Sequence, residues 1–244
     1  MARNPGNSIT ASSNTPLWPT QLPAGVWRAS EQAIAPARTC PTQYLALDAH
    51  LPGSGWPLGS LVEILTDKPG SGEIALIAPA LAALPTQRPI VLLKPPGIPN
   101  ALAWQQWQVA SQRLWWLHPK TLPDAWWSAE TVLRGRAFAA LMAWADPIDD
   151  KALRRLHACV QEADTLMFLF RPKSAAKQFS PCPLRLALTP TAAGGASIEI
   201  IKCKGNKPGA PILLDLKPEM QPALAEPAPG DKHVDSHRPY AVAS

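Results

Sequence analysis

The residues best placed for chemistry lie between two apolar runs. LVEILT (61–66) is followed by the glycine turn DKPGSG, and then by the alanine-rich stretch IALIAPALAAL. This reads as strand, turn and helix, despite Pro79. In an open α/β sheet, such a turn is where backbone amides and a helix N-terminus can hold a phosphate. A working phosphate loop reads G-x-x-x-x-G-K-[ST]: its lysine reaches the outer phosphates and its hydroxyl the magnesium ion. Aligned on Gly72, this chain has Asp67 at the first glycine, Glu73 at the lysine and Ile74 at the hydroxyl, with Gly70 inside the turn and Lys68 before it. All three departures are adverse. A carboxylate at Glu73 would oppose a triphosphate a few ångströms away by about 1–4 kcal/mol, depending on the local dielectric. The expectation is a degenerate loop that holds no nucleotide, cofactor or metal.

Other reactive side chains are scattered. Cys40, Cys159, Cys182 and Cys203 form no CxxC pair, so buried or idle thiols are expected. Asp231, His233, Asp235 and His237 alternate in a stretch without apolar period, which fits a polar tail better than a metal site. The net charge of +5 is uneven. Between Lys151 and Lys217 there are eleven Lys or Arg against four Asp or Glu, enough to attract nucleic acid or an acidic partner, and equally an ordinary solvated surface. No run of 18 apolar residues occurs and the first residues lack a secretory core, so a cytoplasmic protein without membrane contact is expected.

The elements that must position the loop follow from the apolar pattern. PIVLL, RLWWLH, AFAALMAW and TLMFLF are short buried runs that alternate with helical stretches around Trp104–Trp107, AWWSAETVLR (capped by Asp124) and DDKALRRLHACVQEA (capped by Asp149 or Asp150). Strands buried on both faces and alternating with helices mean a mostly parallel sheet with helices on both faces. After Phe170 helices give way to PLRLALTP, SIEIIKCK and PILLDL, read as antiparallel edge strands. Residues 1–40, rich in Pro, Ser, Thr and Asn, are expected to be a poorly ordered arm, 41–217 the core and 218–244 a disordered tail. Ten tryptophans are unusual. Trp115 and Trp116 are adjacent on a strand and so cannot face the same way; some indole surface must be exposed or covered by a partner, unless both sheet faces are buried there.

Thr42, Leu47-Asp48, the turn Gly55-Trp56-Pro57-Leu58-Gly59 and Glu63-Ile64 together resemble the start of the RecA recombinase core, over about residues 40–216. TLMFLF and IEIIKCKGNKPG resemble its later strands. Within that superfamily, VWRASE (26–31), LDAHLPGSGWPLGSLVEIL, PGSGE, DDKALRRL and LFRP look like the ImuA family, RecA-like accessories of bacterial translesion synthesis. The resemblance implies an α/β RecA-like core and a non-catalytic adaptor in the SOS response. It would act with an ImuB-type polymerase relative and an error-prone polymerase, and could contact RecA itself. The SulA-type inhibitors of the division protein FtsZ are the alternative family.

Set beside the recombinase, the chain has Lys94-Pro95-Pro96 where a water-orienting acid stands, and Ala143 or Trp144 where a metal carboxylate stands, with Asp146 two residues late. Phosphoryl transfer is nearly all positioning and charge stabilisation, so an enzyme is not expected. The two DNA-contacting loops shrink to 146–149 and 171–181. Arg171, Lys173 and Lys177 leave room for weak nucleic-acid contact. Lys202 and Lys204 match recombinase residues that reach a neighbouring subunit's nucleotide, and here are candidate partner contacts.

Overall fold

The computed structural model describes residues 38–192, 194–205 and 209–217. The expected N-terminal arm up to residue 37 and the tail from 218 lie outside the described residues.

Eight strands form one sheet: β3 (Ser60–Thr66), β4 (Ile90–Leu93), β5 (Leu114–Leu117), β6 (Ala140–Ala143), β7 (Leu166–Pro172), β8 (Leu184–Pro190), β9 (Ala196–Cys203) and β10 (Ile212–Leu214), in the order β10-β9-β8-β3-β7-β6-β4-β5. The six from β8 to β5 run parallel; β9 is antiparallel to β8, and β10 in turn antiparallel to β9. PLRLALTP was expected to be antiparallel to the rest. It pairs parallel with β3 instead, because the chain crosses back over β3 after β7, and the first antiparallel turn comes only at Gly194-Gly195.

Helices cover both faces. On one side α2 (Glu73–Ala83) and α3 (Ala101–Gln106) bury Leu76, Ile77, Leu81 and Trp104 against Val62, Ile64, Leu92 and Phe168. On the other, α4 (Leu122–Gly135) and α5 (Asp150–Gln161) bury Trp126, Leu133, Leu153 and Leu156 against Leu61, Val91, Leu141 and Met167. This is an α/β fold consistent with a RecA-like core. Asp149 caps α5 through Ala152 N. The cap of α4 is Thr121, one turn earlier than expected, whose Oγ1 accepts from Asp124 N and donates to the Asp124 carboxylate. Asp124 therefore closes a reciprocal capping pair inside the first turn.

The segment before β3 locks the sheet's entrance. β1 (Thr39–Cys40) pairs antiparallel with β2 (Trp56–Pro57). Gly55 must be glycine, since a Cβ there would lie 2.4 Å from the Cys40 carbonyl oxygen. Trp56 is fully buried edge-on to Phe168, 5.3 Å between ring centroids. After the one-turn helix α1 (Leu45–Asp48), the Asp48 carboxylate accepts from Thr42 N at 2.9 Å. Thr42, Asp48, Gly55 and Trp56, which carry part of the resemblance, are thus structural fasteners.

Pro79 sits inside α2 without breaking it. A proline has no N–H for the carbonyl four residues back. That carbonyl, Ala75 O, instead accepts the Tyr44 hydroxyl at 2.8 Å. Burial, helped by the charge of Asp215, pushes the Tyr44 phenol up to about 12. The fold therefore favours the neutral phenol: its contribution is complete below the free tyrosine range near pH 10 and is lost as pH climbs towards 12. Buried Cys40, Cys182 and Cys203, whose thiols burial also pushes up, act in the same direction. Tyr44→Phe should cost about 1–3 kcal/mol at pH 8 by orphaning Ala75 O, and should flatten part of the alkaline decline in thermal melts. An unchanged melting temperature at pH 8 would contradict this.

Candidate functional site

The loop 67–72 leaves the end of β3 and feeds α2, with Gly70 and Gly72 at φ values of 81° and 103° that only glycine adopts without strain. Ser71 Oγ donates to Lys68 O at 2.6 Å. Glu73 points into the loop. It is 2% exposed, and its Oε1 accepts from Gly70 N at 2.8 Å. Oε2 is buried with no hydrogen-bond partner among the described residues. The first residue of α2 thus places its own carboxylate on a loop amide, where the helix dipole favours an anion. The cradle is occupied by the chain itself. Leu216 closes it from the side, its Cδ1 2.9 Å from where a Gly72 Cβ would stand.

Around the ends of β3, β4, β6 and β7 lies a cavity of about 240 Å³, lined by Lys68, Lys94, Trp144, Asp146, Phe170 and other residues. Lys94, where the recombinase resemblance would put a water-orienting acid, donates its ammonium to Pro119 O at 3.1 Å. Trp144 stacks on Phe170 with ring centroids 4.4 Å apart. Asp146 accepts from Arg171 Nε at 2.9 Å. An indole and an ion-paired acid therefore stand where a metal carboxylate would be needed.

Arg171 requires a correction. Expected as a surface contact to nucleic acid or a partner, it is 4% exposed and held by Asp146, Glu63 Oε1 (3.4 Å) and Gln178 Oε1 (2.7 Å). Glu63, at 0% exposure, also receives Arg185 Nε at 2.5 Å and Ser180 Oγ at 3.0 Å. Arg185 in turn donates to Ala175 O and Ala176 O, so loop 171–181 is tied to the sheet. Sequence reasoning missed this network. The signal was present: Glu63, Arg171 and Arg185 are lone charges inside apolar strands, and a charge buried there must be paired. Lys173 is likewise committed, to Asp67 Oδ2 and Thr189 Oγ1, each at 2.8 Å.

Comparison with protein-family models and with curated proteins finds no match for this chain. Its chemistry is therefore read from its own geometry. Lys177, Lys202 and Lys204 are exposed, and Lys202 Nζ donates to Ser180 O at 2.9 Å. No helix among the described residues is long and apolar enough to cross a membrane.

The tryptophans divide by position. Trp56, Trp104 and Trp126 are buried, whereas Trp115 and Trp116 are 53% and 48% exposed. Burial on both sheet faces fails for β5 because it is the last strand among the described residues, flanked there on one side only. Lys94 N donates to Leu117 O, so Trp115 and Leu117 turn their backbone groups towards β4. By alternation the N–H and C=O groups of Leu114 and Trp116 point out of the sheet edge.

Proposed function

We propose that this chain is a non-catalytic RecA-like adaptor of the ImuA type. It would support error-prone translesion synthesis in the SOS response with an ImuB-type polymerase relative and an error-prone polymerase, and could contact RecA through a subunit interface of the kind RecA-like folds share. The observation that carries this reading is the Glu73 carboxylate seated on Gly70 N, which fills the place a phosphate would need. A loop that supplies its own anion has no use for a nucleotide, and a scaffold without one works through its surfaces. The open edge of β5, with two half-exposed indoles and outward backbone groups, supports a protein-binding role, since Trp is enriched among the side chains that anchor interfaces.

The test is co-purification from damage-induced cells with tagged full-length chain as bait. Recovery of the ImuB-type protein is expected. Co-sedimentation with FtsZ polymers in its place would overturn the reading in favour of a SulA-type inhibitor.

A further inference from the structure

A second face of the molecule, away from β5, carries cations that make no ion pair among the described residues. On α5 the Arg154 guanidinium lies over the Phe179 ring, 4.9 Å from its centroid. Phe179 is itself 53% exposed. The next residue, Ser180, holds Lys202 Nζ through its carbonyl, and Lys204 follows just past the end of β9. None of Arg154, Lys202 and Lys204 makes an ion pair among the described residues, whereas Arg155, next along α5, is taken by Glu130. Half-buried His157 lies about one turn beyond Arg154. Burial, and then the charges of Lys202 and Lys204, hold its imidazole below the ordinary range.

We propose that this face docks a short acidic segment of a partner protein, with Arg154, Lys202 and Lys204 taking its carboxylates and Phe179 its apolar side chain. An arginine fixed on an aromatic ring keeps its fork free for a carboxylate and loses little freedom on binding. Two acids limit the patch. Glu199 is exposed further back along β9, and Asp150 lies one turn before Arg154 on α5. A single nucleic-acid strand needs a cationic groove that tracks roughly 4–16 nucleotides, and would run onto one of these acids. A compact spot of three cations around one ring suits a few acidic residues flanking an apolar one. This goes beyond the adaptor reading and does not depend on the β5 edge.

The probe is a labelled peptide of about twelve residues, Asp and Glu around a central Leu-Phe, compared with its Asn/Gln counterpart and with oligothymidylate by fluorescence anisotropy on the full chain. Saturable binding of the acidic peptide alone is expected. Arg154→Glu with Lys202→Glu should weaken it about tenfold or more, Phe179→Ala several-fold, and the exposed-site control Lys120→Glu not at all. His157, followed by NMR, should titrate at higher pH in the complex as the lysines are neutralised. Tighter binding of oligothymidylate, lost in the same variants, would make this a nucleic-acid face and overturn the proposal. So would peptide binding that fails to saturate or ignores the charge reversals. Because no ImuB-type protein or β5 variant enters the assay, these outcomes leave the adaptor reading to its own test.

Discussion

Glu63→Ala is expected to destabilise the protein by about 3–5 kcal/mol, the usual cost of removing one partner from a buried ion pair. Glu63 is the sole described acid that meets both Arg171 and Arg185. Without it Arg171 retains Asp146 and Gln178, while Arg185 retains only carbonyls of the 175–178 turn. One guanidinium would then sit in the sheet interior uncompensated. Against a typical total of 5–15 kcal/mol, such a loss leaves a marginal fold. The loss should show in urea denaturation as a lower midpoint. Replacing Glu63, Arg171 and Arg185 together with apolar residues of similar volume should restore much of it, because the pairing mainly offsets its own desolvation. A single-variant change below about 1 kcal/mol would mean that water reaches this network and that loop 171–181 is not anchored by it.

The second large effect belongs to β5. If the partner proposed above adds to the β5 edge, Trp116→Ala should weaken its co-purification by about 2–4 kcal/mol, the loss of a central interface anchor, roughly 30-fold to 1000-fold in affinity. Trp116→Pro removes the backbone N–H as well as the indole, so its loss beyond that of Trp116→Ala reports the backbone. Its N–H faces the open edge, so the ladder to β4 stays intact while an added strand loses a donor. If β5 accepts a partner strand, both variants release the partner and neither changes the melting temperature much. If both leave recovery unchanged, the edge is bystander surface and the interface lies elsewhere. Trp115 is the poorer probe, since its ring packs edge-on against Phe138 at 5.5 Å and its loss would disturb the fold.

The fold was legible because its strands are apolar throughout and its helices amphipathic: LVEILT, PIVLL and TLMFLF appear where expected, and Leu153, Leu156 and Val160 do share the buried face of α5. What failed was pairing, not element type. Nothing local in PLRLALTP distinguishes a strand parallel to β3 from one antiparallel to it; the crossing of the preceding loop decides. At the site, the residue types of the loop were readable, but not the rotamer of Glu73. The sequence shows an acid in the lysine's place; only the geometry shows it folded onto Gly70 N. Arg171 misled for a related reason. Next to Pro172 and Lys173 it looks like the start of a basic loop, while its partners Glu63 and Asp146 are 108 and 25 residues away in sequence. Trp115 and Trp116 were undecided until the strand order made β5 the edge.

The Glu73 carboxylate fills the loop between β3 and α2, and on the function proposed above that loop takes no nucleotide. Isothermal titration of the full-length protein with magnesium and ATP measures this directly. No heat of binding is expected up to about millimolar ATP. Micromolar affinity, abolished by a change at Glu73 or Gly72, would contradict it.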